Sequence, residues 1–496
     1  MLATLCSPGQ DRSSRKRGNP VIEPLRETSP ATRALAAYMA AAPRRALAPA
    51  VMAKARQHIL DTLAAMISGS TLHPGRVAID YIATLGGARQ ACVVGTRFIT
   101  CAPHAALANG MLAHADETDD SHAPSRTHPG CAVVPAALAV AESVRASGAT
   151  LIKAVVLGYD VAARVNLALG PDALAAAARG THSIGGTFGA GAAAGALLGL
   201  DERQARHLLS LCAQQASGVA CNVRDAEHVE KAFDFGGMPA RNGVTAATLV
   251  AAGATGVDDV FSGERNFLAA YGPQPDAGQL AAELGLRFEI LGTNIKKWPV
   301  GSPAQAALDA LTVLLKREQI GPGDVDTIEV QLPANSARTV DSAAMPDINV
   351  QHLMAMLLID GTLTFKSIHD AARMQDAGVL ALRRRIALSG SDELMHARPR
   401  RQAIVTIKTR DGRALTHRTV AVRGTADNPM SEAEVEAKAF DLIAAVLGAR
   451  RAQAIVQAIG TIETVADVTA LRRLWRPSAD VGARPRLRAR AKKRVL

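Results

Sequence analysis

Aromatic residues make up only 3% of this 496-residue chain, so its core cannot rest on Phe, Tyr and Trp. Hydrophobic residues still reach 48%, which leaves Ala, Leu and Val to fill the interior. Ala is the best helix former and lets helices approach closely, so the composition favours an α-rich protein. Cysteine is also scarce. The six, at 6, 92, 101, 131, 212 and 221, form no CxxC pair and no Cys/His finger spacing. That pattern excludes a disulfide scaffold at this length and points to a reducing compartment. The first thirty residues lack an apolar signal-peptide core, and Asp11, Glu23 and Glu27 argue against a transit peptide. A cytoplasmic location is therefore expected. Long apolar runs are missing too. The uncharged stretch Thr181–Leu200 has the length of a bilayer span, but it opens with His182 and is mostly Gly and Ala, so it reads as a buried helix of a protein without membrane contact.

Net charge is concentrated rather than spread. Of the formal +11, Arg484, Arg486, Arg488, Arg490, Lys492, Lys493 and Arg494 supply seven with no acid among residues 481–496. Arg12, Arg15, Lys16 and Arg17 against Asp11 supply most of the rest. The body between is close to neutral, which argues against a nucleic-acid partner. The segments 1–30 and 476–496 read as disordered basic extensions.

The length suits two or three compact domains. From Ala31 to about Ala282 the pattern is helix after helix. Residues 48–68, 136–144 and 151–169 carry apolar positions at helical spacing, and Asp201 with Gln204 forms a capping box. The Gly185, Gly189, Gly191, Gly195, Gly199 series puts small residues about a turn apart for close helix packing, and no strand precedes it to make a dinucleotide loop. After Leu286 the pattern changes. Asp326–Leu332 alternates like a strand. Gln402–Thr409 and Ala414–Arg423 alternate on either side of Asp411-Gly412, a hairpin-turn signal. Helices over 303–316 and 350–359 lie between. Ser431 with Glu434 restarts helix. The expected fold is mainly α: a large all-helical domain (31–290 and 425–475, completed by C-terminal helices) with a smaller α+β domain (291–424) holding an antiparallel sheet.

The densest polar cluster is His114-Ala115-Asp116-Glu117-Thr118-Asp119-Asp120-Ser121-His122, followed by Thr127-His128-Pro129-Gly130. Pro124, Pro129 and Gly130 break helix, so the cluster sits on a loop between apolar helices, where functional groups concentrate. Three readings fit it. It can be a solvated loop with capping acids. It can bind zinc or iron, although HExxH and facial-triad spacings are absent. It can be a metal-free acid–base centre with imidazoles tuned by carboxylates. Elsewhere, His182 stands at the start of the small-residue helix, where the dipole disfavours an imidazolium. Lys231 precedes Phe235-Gly236-Gly237, Lys296-Lys297-Trp298-Pro299 marks the change of pattern, and His352 lies on an otherwise apolar helix.

Taken in order, these segments resemble the MmgE/PrpD family of 2-methylcitrate dehydratase and cis-aconitate decarboxylase. The likeness runs from about Thr32 to Ala470. It rests on Asn109-Gly110…His114 leading to Asp119-Asp120-Ser121, on His128-Pro129-Gly130, Gly158-Tyr159-Asp160 and His182, and on Lys231…Gly236, Ile295-Lys296-Lys297-Trp298-Pro299 and Leu357-Leu358-Ile359-Asp360-Gly361. The resemblance implies a helical domain with a smaller α+β lid, an active site in the cleft between them, a homodimer, and neither metal nor organic cofactor. It implies a lyase removing water from a small hydroxy-polycarboxylate, with decarboxylation, epimerisation or a catalytically silent binding role as alternatives. By the same resemblance His128, His182, Glu117 and Ser121 are catalytic, with Glu117 orienting an imidazole, and Lys231, Lys296 and His352 bind substrate. The chain departs from the family pattern at Glu117 (usually Asp), Ser121 (usually Thr), Asp234, Gly301 and Gln305 (usually His) and His352 (usually Tyr). Such changes alter which substituent the pocket accepts.

Overall fold

The computed structural model describes residues 27–477. The basic extensions expected at 1–30 and 476–496 lie almost wholly outside them. Of the first, Ser29 is ordered as the N-cap of the opening helix and donates its backbone N–H to Asp259.

The helical pattern of the N-terminal half forms α1 (Pro30–Ala41), α2 (Pro49–Gly69), α3 (His73–Leu85), α4 (Ala102–Ala113), α5 (Pro129–Val144), α6 (Gly148–Leu169), α7 (Pro171–Ala176), α8 (Thr181–Leu197), α9 (Glu202–Gln215), α10 (Val229–Ala232) and α11 (Met238–Ala251). A two-stranded ribbon, β1 (Ala91–Cys92) with β2 (Ile99–Thr100), interrupts them. The Asp201–Gln204 capping box opens α9, with Gln204 N–H donating to the Asp201 carboxylate across 2.8 Å. The small-residue helix α8 is buried along nearly its whole length between α5, α6, α9 and α11. Ala and Gly there let five helices share one interior, which explains how so little aromatic mass suffices. Among the described residues no helix is long and apolar enough to cross a membrane.

The capping box at Ser431 and Glu434 opens the helix Glu432–Leu447, and Ala449–Gly460 follows. Their Leu442, Ile443, Ile455 and Ile459, with Trp475 beyond, join the same apolar core as α2, α5 and α6. These C-terminal helices thus return to the helical body.

A second core belongs to the middle of the chain. Strand β3 (Val325–Pro333) is central in a four-stranded sheet ordered β4-β3-β5-β6, with β4 at Ile386–Ser391, β5 at Ala403–Thr409 and β6 at Ala414–Thr419. The hairpin turns at Asp411-Gly412, where Gly412 takes φ +87°. Strands β3, β5 and β6 pair antiparallel, and β4 adds to the outer side of β3 in parallel, with Ile328 opposite both Ile386 and Ile407. Strand β4 escapes a pattern search because only one of its residues is buried, so it carries no clear alternation. Helices Gln305–Glu318 and Val350–Asp360 pack on this sheet unit.

Candidate functional site

The loop between α4 and α5 carries the site, and its shape follows from local chemistry. Pro129 occupies the first turn of α5, which needs no donor there, and it pushes His128 to φ −113°, ψ 81°. Asp120 caps that helix start, accepting from Gly130 N–H at 3.0 Å, from the Tyr159 hydroxyl at 2.6 Å and contacting His58 Nδ1 at 2.8 Å. A side chain at Gly130 would meet Asp120, Thr62 and Tyr159 at 2.8 Å, so this position has room only for glycine. Two ammonium groups hold the acidic stretch from outside it. Lys296 donates to the Glu117 carbonyl at 2.6 Å, and Lys438, from the Glu432–Leu447 helix, donates to the Thr118 carbonyl at 2.9 Å and pairs with Asp61 at 2.7 Å.

Within this frame Asp119 is the hub. Its Oδ2 lies 2.9 Å from His114 Nδ1 and 3.1 Å from His128 Nδ1. Burial alone would raise this carboxyl, but His114, His128 and Lys296 hold it well below the usual carboxylate range. An ionised carboxylate only accepts, so both imidazoles present Nδ1–H to it and turn Nε2 outward. His114 Nε2 is buried without a partner, whereas the His128 side chain is 12% exposed and remains open to a ligand. The expectation that Glu117 orients an imidazole is therefore replaced: Asp119 does so, and Glu117 takes charge pairing instead. Glu117 Oε1 accepts from Lys231 Nζ, and its Oε2 lies 4.0 Å from Lys296 Nζ. Burial opposes ionisation of Glu117, yet Lys231 and Lys296 keep its carboxyl well below the ordinary value. In return Glu117 overrides burial and raises the Lys231 ammonium.

The Lys231 segment reaches the cluster by an unusual backbone. After α10 the chain makes a π turn, Phe233–Gly237, a form found often at functional sites. Gly236 backbone sits directly against Gly110 of α4, where a Cβ on either glycine would strike the other's carbonyl. That approach delivers the Phe235 ring between two imidazoles, 3.7 Å from His182 at 18° and 4.5 Å from His114 at 22°. His128 stands edge-on to both, with centroids 5.4 Å from His114 and 5.0 Å from His182. Burial, with His128, His114 and Lys231 nearby, pushes His182 well below the usual imidazole range. Burial also lowers His128, against the pull of Asp119. His228, 5.2 Å from His114, is pushed down to about 3, mainly by burial.

Of the residues expected from sequence, Glu117, His128, His182, Lys231 and Lys296 meet in one cluster. Ser121 adjoins it through its backbone, exchanging hydrogen bonds with Asn294 at 3.0 and 2.8 Å, and its hydroxyl makes none among the described residues. His352 is not brought in. It is buried in the core of the sheet unit with both ring nitrogens unpartnered, and burial plus Arg383 and Arg373 hold it down to about 4. The apolar helix carrying it faces the second core, so its side chain goes there too. The resemblance selected only Glu117, Ser121 and His128 from the loop, leaving out His114 and Asp119, and it gave no role to His228 or Phe235. The signal for Asp119 was its spacing to two histidines; nothing local marks Phe235, which depends on the π turn.

Two trios have ligand atoms close enough to hold a cation: His114, Asp119 and His128, and His114, Glu117 and His228. In each, the carboxylate already faces an ammonium, Lys296 3.5 Å from Asp119 and Lys231 on Glu117. A dication would meet that positive charge at short range, so the donor set suits an anion better.

Comparison with known proteins places these features. A family model described as the MmgE/PrpD N-terminal domain matches residues 33–280, and one described as the MmgE/PrpD C-terminal domain matches 298–463. Human cis-aconitate decarboxylase is 25% identical over 437 residues, covering 85% of this chain and 89% of that protein. The cis-aconitate decarboxylase-like protein oryM of Aspergillus oryzae is 25% identical over 461 residues, covering 85% and 92%. Cis-aconitate decarboxylase of Aspergillus terreus is 24% identical over 406 residues, covering 74% and 80%.

Proposed function

The chain belongs to the MmgE/PrpD family, and from that membership we propose that it is a lyase acting on a small polycarboxylate by acid–base catalysis, without a metal or organic cofactor. The observation that carries this reading is the shared Asp119 oxygen, which turns His114 and His128 into oriented bases beside Lys231 and Lys296.

The first reaction we assign is elimination of water, as in 2-methylcitrate dehydratase. Lys231 and Lys296 receive the substrate carboxylates. His128 Nε2 takes the proton from the carbon beside a carboxylate, and the electron pair moves onto that carboxylate, where the ammonium groups stabilise the enolate-like charge. The C–O bond then breaks, hydroxide accepts a proton to leave as water, and the double bond forms. His182 is neutral in the free protein and so cannot donate as an imidazolium there. A bound polyanion raises a neighbouring imidazole, which moves His182 toward the range where it serves as the acid. Glu117 positions Lys231, and the Ser121 hydroxyl, at the loop edge, donates a hydrogen bond to the bound substrate.

Decarboxylation at the same centre is the second reading, favoured by the names of the relatives. There the C–CO₂ bond breaks, the pair again rests as a stabilised carbanion, and an imidazolium protonates the carbon. A panel of hydroxy-di- and tricarboxylates with cis-aconitate, followed by ultraviolet absorbance of the C=C bond and by CO₂ release, separates the two. Absorbance rising without CO₂ supports dehydration. CO₂ release from the unsaturated acid supports decarboxylation. Inertness toward the whole panel overturns the lyase assignment.

A further inference from the structure

A cavity of about 160 Å³ lies between the helical body and the sheet unit, next to the histidine cluster. Asp116 and His228 line it from the body, and Asp347 and His369 line it from the sheet unit. It continues the site directly, since Asp116 adjoins Glu117 in sequence and the His228 ring is 5.2 Å from His114. Yet its chemistry is the opposite of the Lys231–Lys296 wall. No lysine or arginine lines it; the charged groups are Asp116, Asp347 and Glu227.

Three of these lining residues carry unused hydrogen-bonding capacity. Asp347 is 4% exposed, and its carboxylate makes no hydrogen bond or ion pair among the described residues; only its backbone carbonyl is engaged, by Gly301 N–H. His228 is equally buried, and its Nε2 has no partner. Asp116 Oδ2 is likewise without a hydrogen bond, with His369 Nε2 3.4 Å away. Buried polar atoms left without partners, as at Asp116 and His228, are costly and call for a reason, and the free Asp347 carboxylate beside them adds acceptors. A ligand that supplies donors provides one. A further carboxylate cannot while Asp347 is ionised, because it would add negative charge between Asp347 and Asp116. Burial, together with Glu117 and Asp116, already raises the Asp347 carboxyl to about 7, so negative charge here is in excess.

We propose that this cavity is the subsite for a hydrogen-bond-donating substituent of the substrate, a hydroxyl or an ammonium, and that Asp347 is the residue that rejects a carboxylate there. The inference rests on the polycarboxylate reading above for where the substrate's carboxylates sit. It narrows the substrate class to acids that present carboxylates to the lysines and a donor to Asp347.

The test is calorimetric titration at about pH 8.5, where Asp347 is ionised, of one matched series: succinate, malate, aspartate and ethane-1,1,2-tricarboxylate, which differ only in H, OH, NH₃⁺ or CO₂⁻ on one carbon. The wild-type protein should bind malate or aspartate more tightly than succinate, and the tricarboxylate about tenfold more weakly than the better donor, as like-charge contact requires. Malate against aspartate distinguishes hydroxyl from ammonium. Asp347→Asn should tighten the tricarboxylate and erase its disadvantage, with an unchanged melting temperature as the folding control. Met345→Phe, which fills the cavity without changing charge, should remove the donor advantage and leave succinate binding as it was. A tricarboxylate that binds the wild type as well as malate does, or an unchanged order in Asp347→Asn, overturns the subsite. Failure of all four acids to bind the wild type overturns the polycarboxylate reading itself, and the subsite with it.

Discussion

His128 Nδ1 lies 3.1 Å from Asp119 Oδ2, on the same oxygen that holds His114 at 2.9 Å. One carboxylate thus sets the tautomer of two imidazoles. Replacing it by Asn removes both the charge and the selection of Nδ1–H. Asp119→Asn should therefore lower kcat by roughly 10²–10⁴-fold, the worth of one general base. The pH profile gives a sharper check. The base works as neutral imidazole, and burial lowers His128 below 6.5 while Asp119 pulls it up. The wild-type kcat/KM, which reports the free protein, should show no loss to protonation of His128 until pH falls below 6.5. In Asp119→Asn the acid limb moves further down. A wild-type limb centred above 6.5 contradicts the assignment.

His128 and His182 meet edge to face, 5.0 Å apart. His128→Ala and His182→Gln should each reduce turnover by about 10²–10⁴-fold while retaining the wild-type circular dichroism. Wild-type turnover in both properly folded variants removes the pair from the mechanism.

The two trios with cation-binding geometry both contain a carboxylate already engaged by lysine. Exhaustive chelation should leave the rate unchanged. Loss on chelation with recovery on adding a divalent metal would reverse the reading of this donor set.

Lys438 joins the returning C-terminal helix to the site, bridging Asp61 and the Thr118 carbonyl. Lys438→Met leaves Asp61 buried and unpaired, a loss of about 3–5 kcal/mol by denaturant titration. Because Thr118 sits between Glu117 and Asp119, kcat should fall with it. The double variant Asp61→Asn, Lys438→Met should regain much of the stability. Full stability in the single variant would show that the pair contributes nothing.

Asp160 accepts from the Tyr38 hydroxyl at 2.5 Å and from Glu289 N–H at 2.7 Å, yet burial raises its carboxyl to about 7. In the unfolded chain it ionises near 3.9. Between about pH 4 and 7 the folded state therefore holds the extra proton, and stability falls as pH rises through that window. Asp160→Asn has no such proton to lose. Its denaturation midpoint should gain on the wild type from pH 4 to 7 and then run parallel. A constant difference across the range contradicts the raised value.

Much of the architecture was legible locally. Capping boxes at Asp201 and Ser431, the apolar period of the helices and the Asp411-Gly412 turn are set by neighbours a few residues away, and each lies where its residues point. The edge strand β4 was not, since its half-exposed pairing leaves no periodic trace. In the site, residue types were legible and roles were not. Glu117, Asp119 and Asp120 are near-equivalent by sequence. They separate only because Lys231 approaches from α10, Tyr159 from α6 and the two imidazoles from the caps of α4 and α5.

The His114–His128 stretch shows where that boundary falls. Its own residues determine a helix end at His114, a break at Pro129 and a dense supply of acids and imidazoles, because proline geometry and helix capping act over one turn. Which carboxylate orients a base, which pairs with an ammonium and which caps a helix was decided by how this stretch folds against Lys231, Lys296 and Tyr159. Tertiary structure also decided the exclusion of His352, whose helix turns toward the second core. Ionisation in a buried site depends on charges within a few ångströms, and those come from residues more than a hundred positions away, such as Lys231 and Lys296 on Glu117.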